Sequence, residues 1–151
     1  MLTQPTLKVQ VLPHGEGLDL PSYATPGSAG MDLRAAVEEP YVLSPMERTA
    51  IPIGIRVAIP AGWEGQIRPR SGLAFRHGLG IPNSPGTIDS DYRGELKVLL
   101  INLGPEPIVI ERGMRVAQML ITPAPQAVIS VVSDLDDTER GTGGFGSTGV
   151  S

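Results

Sequence analysis

The 151-residue chain contains no cysteine. Disulfides and thiolate metal sites are therefore excluded, and the composition agrees with a reducing, cytoplasmic setting. Positive charge is also short: the net charge is −4 and the pI about 5.1, which argues against a general nucleic-acid binder. An anionic ligand would need a local cluster of arginines or backbone N–H groups, helped by a metal. No apolar run reaches transmembrane length. The opening stretch MLTQPTLKVQVLPHG lacks the basic and apolar regions of an export signal, so none is expected. The two histidines, His14 and His77, have no partners at metal-ligand spacing and read as surface or loop residues.

Abundant instead are 19 glycines and 15 prolines, which punctuate the chain every few residues. Between them lie short stretches of period two. LKVQV (7–11) alternates, and IPIGIRVAI sets Ile51, Ile53, Ile55, Val57 and Ile59 on one face. ELKVLLIN reads as a more buried strand, followed by PIVI and MRVAQMLIT. The pattern predicts a single all-β domain, a sandwich or barrel of many short strands. Pro52 and Pro60 predict that their strand lies at an edge or bends. Only SGLAFRHG (71–78) resembles a helix, with Ser71 as its cap and Gly78 as its end. SDLDDTER (133–140) reads as an acidic, solvated linker.

Five stretches carry candidate chemistry, each beside a plainer alternative. Arg70, the Ser71 hydroxyl and the N–H groups of Gly72 and Leu73 would suit phosphate; the alternative is a strand end with a surface arginine and an ordinary cap. Asp89, Ser90 and Asp91 are turn formers, which predicts a β-hairpin flanked by Ile88 and Glu95. Asp89 either satisfies backbone N–H groups of that turn or deprotonates a water at a pocket mouth, with Tyr92 as one wall. Gln118 shares its predicted face with the apolar Met114, Val116 and Leu120. A buried amide there must bond neighbouring backbone or line a polar site, since leaving it unpaired costs about 1–3 kcal/mol. Asp32, behind Gly30, reads first as a strand cap. RGTGGFGSTG (140–149) holds one of only two phenylalanines, Phe145, among five glycines. It is a disordered tail or a lid that orders over a ligand. Gly141 and Gly146 have P-loop spacing, but Ser147 stands where that motif needs Lys and no helix follows.

In series, AGMDL (29–33), PRSG (69–72), GTIDSDYRGEL (86–96), RGMRVAQM (112–119) and RGTGGFGSTG (140–149) resemble the five motifs of trimeric deoxyuridine triphosphatases, in order and across essentially the whole chain. The resemblance implies a jelly-roll-like fold with a flexible glycine-rich tail, so that residues 1–133 form the catalytic body and 134–151 its linker and lid. It implies hydrolysis of dUTP to dUMP and pyrophosphate, supplying dUMP for dTMP synthesis and keeping uracil out of DNA. It also implies Mg²⁺ held mainly by the triphosphate, and a homotrimer whose sites draw on all three subunits. Asp89 would be the catalytic base. Arg70, Ser71, Gly72, Gln118, Arg140, Ser147 and Thr148 would bind phosphates. Asn83 and backbone groups at Thr87, Ile88 and Lys97 would read uracil, Tyr92 would lie against the deoxyribose, and Phe145 would stack on the base. Asp32 would lie near the metal, acting through water or supporting the site. No contact with nucleic acid or membrane is implied. Two rivals stand beside this reading: a deoxycytidine triphosphate deaminase of shared fold, which needs a catalytic Glu beside the base, and a non-catalytic binding module.

Overall fold

The computed structural model describes residues 4–149. Its elements in chain order are β1 (Lys8–Val11), a 3-10 turn (Pro13–Gly15), β2 (Ser22–Tyr23), β3 (Met31–Arg34), β4 (Tyr41–Leu43) and β5 (Arg48–Ala58). They continue with β6 (Trp63–Arg68), α1 (Ser71–His77), β7 (Leu79–Gly80), β8 (Gly86–Ile88), β9 (Glu95–Asn102), β10 (Ile108–Ile110) and β11 (Arg115–Pro123). The strands form a four-stranded sheet, β1-β5-β9-β7, a five-stranded sheet, β2-β3-β11-β6-β8, and a ribbon of β4 and β10. Buried residues of both large sheets join one cluster, including Leu33, Ile67 and Met119 from one and Ile51, Val98 and Leu100 from the other. Among the described residues each large sheet ends in free edge strands, so the all-β prediction resolves to a jelly-roll-like sandwich and not a closed barrel.

The alternation from Ile51 to Ile59 is carried into the core, where all five residues are at most 4% exposed. Period-two patterning is a reliable guide there because one face of β5 is excluded from water. β5 is not an edge; it lies between β1 and β9. Its register against β9 is irregular between Pro52 and Arg56, and Pro60 lies just beyond its end. β9 alternates: Leu96, Val98 and Leu100 point inward, while Lys97 and Leu99 face out.

Three local expectations are corrected. The helix begins at Ser71, so Arg70 holds the N-cap position and no side chain caps it; Gly78 does close it, in the left-handed conformation. Ile88 and Glu95 do not flank a hairpin. Tyr92 N–H closes a turn on the Asp89 carbonyl at 3.2 Å, but β8 then pairs with β6 and β9 with β5 and β7, in different sheets. Gln118 does not share the face of Val116, because β11 slips register against β3 between Arg115 and Ala117. A bulge inserts one residue and reverses the parity of everything after it.

Among the described residues, Asn102 is the polar residue buried in the core. Its amide N–H₂ donates to the carbonyls of Leu43 (3.0 Å) and Glu106 (2.7 Å), and its oxygen accepts from Gly104 N–H (2.9 Å). Asn102→Asp keeps the volume but turns an oxygen toward two carbonyls. Stability should fall by about 1–3 kcal/mol for each orphaned group, measured by urea unfolding; an unchanged midpoint would show that these bonds contribute nothing.

Candidate active site

β3 and β11 run antiparallel with Asp32 opposite Gln118, and β6 lies on the other side of β11 with Arg68 opposite Gln118. Where β6 ends, Pro69 and Arg70 turn the chain into α1, which brings Arg70 back over the row. Gln118 Nε2 donates to the Pro69 carbonyl at 2.9 Å. Its Oε1 lies over Gly30, where a β-carbon would stand only 2.4 Å away; any larger residue at position 30 would displace the amide. The amide therefore does both things left open by the sequence: it bonds backbone and it lines a polar cleft.

Asp32 lies within β3 and is not a strand cap. Its Oδ1 accepts from Arg70 Nε at 3.0 Å and its Oδ2 from Arg115 at 3.3 Å. The carboxylate is mostly buried while Arg115 is nearly half exposed, so Asp32 orients two guanidinium groups toward the opening. The resulting cleft, about 550 Å³, is lined by Asp32, Arg70, Ser71, Gly72, Arg76, Arg115, Gln118 and the Ser28–Gly30 loop. Two arginines, Arg70 and Arg115, hold the one carboxylate and a third, Arg76, lines the same cleft; such forks suit phosphate oxygens. The sequence reading passes over Arg76 and Arg115. Arg115 and Gln118 are an odd number of residues apart, which regular alternation puts on opposite faces; the bulge puts both in the cleft.

A second, smaller cleft of about 140 Å³ opens between β8 and β9, lined by Thr87, Ile88, Asp89, Tyr92, Glu95 and Lys97. β8 is the last strand of its sheet, paired only with β6. Beyond β5, β9 is paired only by β7, and only at Ile101 and Asn102. Two strand edges thus face one gap with N–H and C=O groups unclaimed by any sheet partner among the described residues. Tyr92 leans across Gly94, where a β-carbon would stand 2.3 Å from the phenol oxygen, and its hydroxyl donates to the Glu95 carbonyl at 3.0 Å. Arg93 ties the turn by donating to the carbonyls of Ser90 (2.7 Å) and Tyr92 (2.9 Å). The turn is closed by backbone and Arg93, and the Asp89 side chain takes no part in it. Asp89 is exposed at the rim of this cleft and of a broader groove beside Trp63, Glu64 and Ala124. Asn83 stands outside the cleft lining, its amide nitrogen over Gly86.

The tail residues are not brought to either cleft of their own chain. Arg140 Nε donates to the Gly143 carbonyl at 2.8 Å, and short turns run from Thr138 to Gly149. Phe145 is fully exposed in the left-handed region, at φ 50°, and Ser147 and Thr148 are exposed beside it. His14 is not a free surface residue: it is half-buried and pairs with Glu95.

A family model described as dUTPase matches residues 16–149. A deoxyuridine 5'-triphosphate nucleotidohydrolase of Rhizobium etli (strain CFN 42) is 61% identical, the alignment covering 98% of this chain and 96% of the relative. The protein of the same name from Sinorhizobium medicae is 60% identical over 97% and 93%. Among solved structures, a Staphylococcus bacteriophage 80alpha dUTPase mutant with dUpNHpp superimposes with a TM-score of 0.86 at 28% identity, covering 96% of this chain and 99% of that one. A mutant dUTPase from phage phi11 of S. aureus, reported to coordinate a structural Mg(II) ion, gives a TM-score of 0.77 at 25% identity, over 87% and 99%. With four of the five motifs lining two clefts of this jelly-roll-like sandwich, and relatives of one name matched over nearly their whole length, the chain belongs to the dUTPase family.

Proposed function

We propose that this member of the dUTPase family hydrolyses dUTP to dUMP and pyrophosphate by attack of a water on the α-phosphorus, with Asp89 aligning that water and taking its proton. The observation that carries the reading is the pair of complementary clefts. One gathers three arginines, Arg70, Arg76 and Arg115, with a single carboxylate in its lining, and the other is small, edged by unpaired strand backbone, with Asp89 at its rim. The first suits a triphosphate and the second a planar base.

The two clefts share no lining residue. A homotrimer that joins the cationic cleft of one chain to the base cleft of a neighbour accounts for this division. Val128, Ile129 and Val131, each at least 85% exposed beyond β11, support such an assembly, because they are apolar and uncovered in their own chain. In the trimer, residues 134–151 act as linker and lid on the catalytic body of residues 1–133. Arg140, Ser147 and Thr148 bind the terminal phosphate, and Phe145 stacks on the uracil. The working compartment is the cytoplasm.

No group of three or more carboxylate or imidazole side chains is arranged to hold a metal among the described residues. The cationic cleft has one carboxylate, Asp32, already engaged by two arginines. That donor set fits Mg²⁺ carried by the triphosphate, with Asp32 reaching it through water, as this ion prefers. Bound there, Mg²⁺ neutralises phosphate charge and fixes one triphosphate geometry. The chain's own groups do the rest: Arg70, Ser71, Gly72 and Gln118 hold the phosphates, and Asp89 holds the proton released from water.

Uracil presents an acceptor, a donor and an acceptor at O2, N3–H and O4. The backbone of Thr87, Ile88 and Lys97, which line the small cleft, answers that pattern; the Asn83 amide, which lies over Gly86, would turn into the cleft to join them. Cytosine reverses it at N3 and C4, leaving buried groups unpaired, which rejects it strongly. The tight gap leaves no space for the thymine methyl. Tyr92, held between Gly94 and the Glu95 carbonyl, excludes a 2′-hydroxyl. Tyr92→Ala should therefore narrow the preference for dUTP over UTP, read as the ratio of kcat/KM values; an unmoved ratio assigns the ribose to another group. Pyrophosphate release measured across dUTP, dCTP, dTTP and UTP tests the whole reading. Release from dUTP alone is expected, whereas ammonia from dCTP would return the deaminase and silence on all four the binding module.

A further inference from the structure

The small cleft rests on a segment 81 residues away in sequence. From Pro52 to Arg56, β5 carries two more residues than the stretch of β9 opposite, which runs only from Lys97 to Glu95. The surplus takes Gly54 N–H to a side chain: Glu95 Oε1 accepts it at 3.1 Å. The same oxygen accepts from His14 Nε2. Because a carboxylate only accepts, the proton of this bond belongs to Nε2.

His14 is itself firmly held. Leu12 N–H donates to the Gly54 carbonyl at 2.9 Å, and Gly15 lies so close that a β-carbon there would stand 2.1 Å from the Gly54 oxygen. Arg112 donates to the carbonyls of His14 (2.8 Å) and Glu16 (3.0 Å). The side chains of His14 and Glu95 are 30% and 19% exposed, so water competes weakly for their bond. Glu95 thus has two anchors. Its carboxylate is fixed to the N-terminal turn and the β5 bulge, and its carbonyl receives the Tyr92 hydroxyl at 3.0 Å.

We infer that His14 is a positioning residue for sugar selection: through Glu95 it fixes the carbonyl that sets where the Tyr92 ring stands. The inference rests on the reading above that Tyr92 meets the deoxyribose. Without His14, the Glu95 carboxylate keeps only the Gly54 bond, the start of β9 gains freedom, and Tyr92 follows it. A looser ring still admits dUTP but also yields to a 2′-hydroxyl. The effect falls on discrimination and not on the chemistry at phosphorus, which His14 does not touch.

The test measures kcat and KM for dUTP and UTP, with thermal midpoints, in full-length wild type, His14→Ala, His14→Gln, Tyr92→Ala and the His14→Ala/Tyr92→Ala double variant. His14→Ala should lower the dUTP-to-UTP ratio of kcat/KM by about tenfold, within the range of coupled neighbours, with kcat for dUTP little changed. His14→Gln, whose amide N–H₂ can donate to Glu95, should restore most of the ratio. In the Tyr92→Ala background, His14→Ala should move the ratio no further. Equal losses with both nucleotides, or a lowered midpoint with an unmoved ratio, would make the pair purely structural and overturn the inference. If Tyr92→Ala leaves the ratio unmoved, the sugar reading fails and this inference with it; if Tyr92→Ala moves it and His14→Ala does not, this inference fails alone. Should His14→Ala not fold, Glu95→Gln replaces it, keeping the Gly54 bond while weakening the charge-assisted one from His14. The ratio should then fall in the same direction, and an unmoved ratio overturns the inference.

Discussion

Asp89→Asn should fold and assemble normally, bind dUTP, and lose about 10²–10⁴-fold in turnover, the usual contribution of a general base. The amide keeps the size of the carboxylate and can still orient a water, but it cannot take a proton. The structure makes this a clean substitution. Asp89 is exposed at the rim of the small cleft, and its turn is closed by the Tyr92 N–H bond to the Asp89 carbonyl and by Arg93. Steady-state kinetics beside a thermal melt decides the matter. Near wild-type turnover would remove Asp89 from the mechanism, and a large drop in melting temperature would return its side chain to the turn.

Truncation before Arg140 should be nearly as costly. Stacking of an aromatic on a base contributes about 1–3 kcal/mol, and a charged hydrogen bond to phosphate about 1.5–3 kcal/mol. Losing Phe145 and Arg140 together therefore predicts a fall in kcat/KM of roughly 10²–10⁴-fold, by the usual conversion of free energy to rate. The fold should be untouched, because the tail's bonds run between its own residues, such as Arg140 to Gly143. This also answers why an aromatic sits among glycines: Phe145 faces solvent in its own chain, so its proposed partner is the ligand and not the core. A truncated chain with full activity would make the segment dispensable.

What was legible in the sequence follows from physics that acts locally. Period two from Ile51 to Ile59 marks a strand because one face of β5 must leave water, and Gly78 marks a helix end because the left-handed cap suits glycine. What was illegible depends on contacts between distant residues. A turn at Asp89–Tyr92 was readable, but not that its two arms enter different sheets, since strand pairing is decided by the rest of the sandwich. One bulge in β11 accounts for two misses, the facing of Gln118 and the omission of Arg115, because a single inserted residue inverts alternation without marking the composition. Arg76 sits on a short helix, and nothing in the local pattern marks the cleft that it lines. Asn102 and the His14–Glu95 pair are invisible for the same reason: their partners lie far along the chain or are backbone carbonyls. Four of the five motifs that carry the resemblance line the two clefts, whereas elementary patterning left each of them undecided.

The central claim is that a complete site needs Asp89 from one chain and the glycine tail from another. It is tested by mixing a chain truncated before Arg140 with a full-length Asp89→Asn chain, letting subunits exchange, and following exchange by native mass spectrometry. Neither parent should be competent. Random equal mixing makes roughly three-quarters of trimers mixed, and in each of these one site of three combines an intact Asp89 with an intact tail, so roughly one quarter of wild-type activity should return. Demonstrated exchange with activity at the level of the parents would contradict the account.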